Sequence, residues 1–237
     1  MRTTKQQARH AGLLYFILGI TAPIGLEFVP GKLLVAGDAT ATSAHLRTFE
    51  LLWRIGLASE LFHQIVVVYL VLALFRLFKP VNESLAWQVV IFGALVSVPI
   101  MFINVVNGLA ALMLASPPPF LAVIEPRQLD ALSYLFVRMH SLGIEVASIF
   151  WGIWLFPFGA LVMRCGFMPR WLGWSMWVAG VAYLAAATAQ ILAPQIAHAV
   201  GQVAGILEFG ELPIIFWLLI WGAREPTASA APAQPSR

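Results

Sequence analysis

Apolar residues run along this chain in six long stretches, at about 11–29, 50–76, 86–114, 131–162, 171–193 and 198–222, broken by short polar or proline-rich links. Each is long enough to cross ~30 Å of hydrocarbon, which takes ~20 mainly apolar residues as a helix. Backbone N–H and C=O groups inside lipid must bond within their own segment or in a closed barrel. These runs are too long and too evenly apolar for alternating barrel strands. The pattern therefore predicts an all-α, polytopic membrane bundle of six transmembrane helices. Residues 1–10 precede it, 11–223 form it, and an Ala/Pro/Ser-rich tail over 224–237 is expected to be disordered. Pro23, Pro99, Pro157 and Pro213 fall within spans, where each removes a helix hydrogen bond. The stretch from Pro30 to Phe49 and the run Pro117-Pro118-Pro119 are expected as links.

Composition agrees with this pattern and excludes most soluble functions. The 237 residues are 60% hydrophobic and 11% charged, with a mean hydropathy of +0.85. A single cysteine leaves no intrachain disulfide and no thiolate-rich metal site. The net charge of +3 is too small and too dispersed for a nucleic-acid surface. The partner that composition implies is the lipid bilayer, and no nucleic acid. No phosphate-binding glycine loop, nucleophile elbow or His-Glu-x-x-His motif occurs.

Positive charge sets the expected orientation. Arg2, Lys5, Arg9, Arg76, Lys79, Arg164, Arg170, Arg224 and Arg237 fall on one side, and Lys32, Arg47 and Arg127 on the other. The richer side should be cytoplasmic, with both termini there. Trp87, Trp171, Trp174 and Trp221 fall near that interface. A cleaved signal peptide fits the N-terminus poorly, because Ala11 to Val29 is longer than a ~7–15-residue signal core and carries Pro23 and Glu27. Cys165 lies in a cytoplasmic link and reads as an incidental free thiol.

Intramembrane polar residues are the candidate site, since charges in a bilayer usually face a bundle interior or a wet cavity. The second span carries Arg54, Glu60 and His63, the third Asn104 and Asn107, the fourth Arg138, His140 and Glu145, and the sixth Glu208 and Glu211. Most of them come eight to thirteen residues after entry from outside, about 12–20 Å down. That places a polar zone in the outer half and a dry inner half, and it predicts that the even spans adjoin one another. Four deep carboxyls, Glu60, Glu145, Glu208 and Glu211, face two arginines, Arg54 and Arg138. A buried carboxylate without a partner is normally protonated or meets a cation. Arg54 can pair with Glu50 one turn earlier. Glu60 and His63 form a Glu-x-x-His pair, half of a di-iron pattern, which makes Glu60, His63, His140 and Glu208 a candidate metal set. Gly201-Gln-Val-Ala-Gly205 allows close approach of another helix. No cofactor and no oligomeric state follow from these residues.

Several segments carry a family resemblance. They are Ala36-Gly-Asp-Ala-Thr-Ala, Trp53-Arg-Ile-Gly-Leu-Ala-Ser-Glu, Leu77-Phe-Lys-Pro-Val-Asn, Met139-His-Ser-Leu-Gly, Arg164-Cys-Gly-Phe-Met-Pro-Arg-Trp-Leu-Gly, and Gly210-Glu-Leu with Leu218 to Gly222. Over about Ala8 to Ala223 the chain resembles the bacterial membrane family catalogued as domain of unknown function 4386. The resemblance implies a multi-helix bacterial membrane protein, with the inner membrane as its expected location, and supplies no reaction. Three functions stay open: an outward-facing site for a proton, cation or small ligand in transport or sensing; a metal-dependent intramembrane hydrolase; and a structural or regulatory partner of another membrane protein.

Overall fold

The computed structural model describes residues 3–223; the expected tail from 224 onward lies outside them. The described chain is helical throughout, without strands. Six helices are long and apolar enough to cross a membrane: Thr4–Leu33, Glu50–Phe78, Glu83–Ala115, Pro126–Arg164, Arg170–Leu192 and Pro194–Trp221. Each contains nearly all of the apolar stretch expected at its place and usually extends past it. The fourth is the longest at 39 residues, about 58 Å at 1.5 Å per residue, so it projects beyond the hydrocarbon.

Proline accounts for much of the irregular backbone. A wide π turn at Ile24–Phe28 follows Pro23, another at Ile91–Val96 precedes Pro99, and a tight turn at Phe209–Glu211 precedes Pro213. A missing proline N–H frees a carbonyl, and a locally wider or tighter turn re-pairs it. Pro157 is carried inside an unbroken helix. Two of these turns hold carboxylates, Glu27 in the first and Glu211 in the last.

Consecutive spans pack on each other, and the sixth closes on the first, so the helices form a ring in chain order. The expectation that the even spans adjoin is corrected: each is separated from the next by an odd span. Short links make sequence neighbours antiparallel spatial neighbours, and polarity does not override that. Small residues set the closest approaches. A Cβ on Gly152 would lie 2.9 Å from the Gly180 carbonyl oxygen, and the reverse holds for Gly180. Gly159 and Gly173 pair likewise between the fourth and fifth spans. Gly201 and Gly205 meet nothing within 4 Å, so their close-approach pattern is not used among the described residues.

The segment from Pro30 to Phe49 is more than a link. The first span continues to Leu33, and Asp38 then caps a further helix, Ala39–Thr48, by accepting from Ala41 N at 2.8 Å. Gly37, at φ +80°, makes the turn before it. This cap helix buries Thr42, Ser43 and Leu46 across the ends of the second to fourth spans. Arg47 donates at 3.1 Å to both Asp130 Oδ1 and the Ala115 carbonyl, tying the cap to the ends of two spans.

Both described ends lie on the opposite, basic face, where Arg9 Nη2 donates to the Ile220 carbonyl at 2.8 Å. An aromatic stack fills the interior toward that face. Tyr15 lies 5.9 Å from Trp154, Trp154 lies 5.6 Å from Phe158, and Phe158 lies 5.7 Å from Phe78 (ring centroids). Trp87, Trp171, Trp174 and Trp221 are each about half exposed, as rings of an interfacial belt are.

Candidate polar site within the bundle

The first polar group joins spans that are not neighbours in the ring. His140 Nε2 lies 3.0 Å from Glu60 Oε2, and both side chains are buried, at 1% and 2% exposure. Asn104 Nδ2 donates to the His140 carbonyl at 2.8 Å, and Asn107 Nδ2 donates to Asn104 Oδ1 at 3.2 Å. The Trp53 ring lies 5.7 Å from the imidazole, while its Nε1 donates to the Gly108 carbonyl at 2.9 Å. Glycine makes the room. A Cβ on Gly25 would come within 2.7 Å of Glu60 Cγ, and one on Gly143 would overlap the Asn104 amide. One turn further along the second span, the Gln64 amide is buried, with neither its nitrogen nor its oxygen hydrogen-bonded among the described residues.

The second group is acidic and sits where the backbone is irregular. Tyr15 donates to Glu211 Oε2 at 2.8 Å, bridging the first and sixth spans. Glu208 is within electrostatic reach of Glu211, Glu145 and Glu27. Tyr183 interacts with Glu211, Glu208 and Glu27. Carboxylates from the first, fourth and sixth spans thus share one region, and the charged neighbours acting on Glu208 and Glu211 are all acidic. Glu27 is exposed, and Glu145, Glu208 and Glu211 are part-buried. Only Ala204 is buried along Pro194–Glu208, so this end of the sixth span leaves most of its surface exposed.

The expected site residues therefore divide. Glu60, His140, Asn104 and Asn107 come together, and Glu145, Glu208 and Glu211 gather separately with Glu27. His63 turns to the first span, with Nδ1 3.2 Å from Thr21 Oγ1. Arg54 pairs outward with Glu50 at 2.8 Å, both side chains well exposed. Arg138 is exposed and makes no ion pair among the described residues. The metal set of Glu60, His63, His140 and Glu208 is not assembled: only Glu60 and His140 touch. Among the described residues no three His, Cys, Asp or Glu side chains converge to hold a metal ion. At three residues apart, Glu60 and His63 point about 60° apart around the helix, enough to address different neighbours. The sequence reading missed Gln64, Tyr15, Tyr183 and the role of Glu27. Gln64 carried a signal, one turn from Glu60 on the same face; the tyrosines carried none.

Outside the spans, burial pushes the Cys165 thiol up from its ordinary range, and its Sγ–H donates to the Val162 carbonyl at 3.1 Å.

A relative from Archaeoglobus fulgidus, described as an uncharacterized protein, is 34% identical over 84 residues, covering 34% of this chain and 47% of the relative. The chain thus matches about half the length of that relative. No solved structure matches the chain. Residues 10–222 match the family described as "Domain of unknown function (DUF4386)", and the chain belongs to that family.

Proposed function

We propose that this multi-pass protein binds a proton, or a small cation that keeps part of its hydration because no three described carboxylates converge on it, at its acidic site, approached from the face opposite the basic one, in a transport or sensing role. One observation carries the reading: Glu27, Glu145, Glu208 and Glu211 share a region whose charged groups acting on Glu208 and Glu211 are all acidic. Carboxylates gathered in a membrane without countercharge call for protons or cations. The positive-charge count supports placing the basic face in the cytoplasm, with both termini there. The family resemblance favours a bacterial inner membrane, and the archaeal relative extends the sequence type beyond bacteria.

The test is melting of the full chain in detergent, over a pH series and with Na⁺, K⁺, Mg²⁺ or Ca²⁺. A species that binds only the folded state raises the melting temperature with its concentration. The wild-type chain should respond to pH or to one of these cations, and Glu208→Gln with Glu211→Gln should remove the response. Indifference to pH and to every cation would leave the structural-partner reading, which the enclosed Glu60–His140–Asn104 network favours as interhelical packing. The dispersed candidate ligands give the hydrolase reading no support.

A further inference from the structure

We propose a second site, for the phosphate headgroup of an anionic phospholipid, between the basic-face ends of the first and second spans. A cavity of about 420 Å³ opens there, lined by Gln7 and His10 from the first span and Ala73 and Arg76 from the second. Each pair is three residues apart, so each helix turns one continuous face to the cavity. Ala73 keeps the wall low, and His10 and Arg76 place two nitrogen donors at its rim. Arg76 makes no ion pair among the described residues, and no carboxylate lines the cavity. An arginine fork with a second donor opposite suits a phosphate group.

The surroundings select a lipid over a soluble phosphate. One turn deeper on the same faces lie Leu13, three residues after His10, and Leu72, four before Arg76; they are 48% and 41% exposed. A polar pocket at headgroup level thus runs into an apolar wall at acyl level. A phosphate with attached chains fills both parts. Basic pockets between spanning helices hold anionic headgroups by this division of polar and apolar contact.

The test is thermal melting of the full chain in detergent with added phosphatidylglycerol, phosphatidylcholine or inorganic phosphate. Phosphatidylglycerol should raise the melting temperature in a saturable way, whereas phosphatidylcholine and inorganic phosphate should not. Arg76→Gln should raise the half-saturating lipid concentration about fivefold, the effect of one cation near a headgroup, and adding His10→Gln should raise it further. Arg170→Gln, on the same face but outside the cavity, should keep the wild-type response. Melting without lipid reports whether each variant is folded, and native mass spectrometry counts bound lipid should the double variant melt too low to compare. Equal responses to both lipids, an equal response to inorganic phosphate, or an unchanged lipid response in the folded double variant would each overturn the proposal.

Discussion

His140 of the fourth span and Glu60 of the second meet at 3.0 Å inside the bundle, although the third span lies between their helices in the ring. Their contact links two spans that are not ring neighbours.

Removing both partners should therefore cost less than the sum of removing each alone. Glu60→Ala or His140→Ala strands a buried polar group, a loss on the order of 3–5 kcal/mol for a buried pair. If the two groups act on each other, the double variant should fall short of the summed single losses by about 1 kcal/mol or more. Denaturant unfolding of the four species measures this, and additive losses would contradict the coupling.

Amide substitutions should rank the carboxylates. Glu208 is surrounded by Glu27, Glu145 and Glu211, so Glu208→Gln relieves like-charge repulsion and should leave stability unchanged or slightly raised. Glu60→Gln disturbs a bonded pair and should lower it clearly. Equal and severe destabilisation by both would mean that Glu208 is structurally paired after all.

Glycine positions should separate sharply. Gly152→Val and Gly159→Val drive side chains into the facing Gly180 and Gly173 backbones and should cost about 1–3 kcal/mol as overpacking. Gly205→Ala faces open space and should be neutral or stabilising, since alanine favours the helix by up to about 1 kcal/mol. A destabilising Gly205→Ala would reveal a partner helix on that face.

Cys165 should alkylate slowly at neutral pH. Its thiol titrates above the usual range through burial, so the reactive thiolate is scarcer in the folded chain than in the unfolded one. Maleimide labelling should quicken as pH rises, with the folded rate lagging the urea-unfolded rate near pH 7. By linkage, the small stability tied to the neutral thiol is present below the unfolded-state pKa and lost as pH rises through the folded one. Equal folded and unfolded rates at pH 7 would rule this out.

Topology can be read by labelling. With the basic face in the cytoplasm, Lys79→Cys should react with an impermeant reagent only after permeabilisation, and Pro118→Cys in intact cells. The reverse result would invert the orientation.

The hydrophobic runs alone determined the six spans, because a chain in lipid must satisfy its backbone locally and ~20 apolar residues per crossing are visible without neighbours. Even Arg54's pairing with Glu50 was local enough to read. Which intramembrane residues meet was decided only by the tertiary structure. Glu60 and His63 share one helix yet face different partners, since rotation about the helix axis is set by what packs against it. Glu27 and Glu211 owe their placement to turns widened or tightened near Pro23 and Pro213. The helix Ala39–Thr48 was hidden because its burial comes from three other helices, and its few apolar positions form no span-length run. Pairings such as Tyr15 with Glu211, 196 residues apart, follow from closure of the ring between the first and sixth spans, a contact that no local pattern encodes.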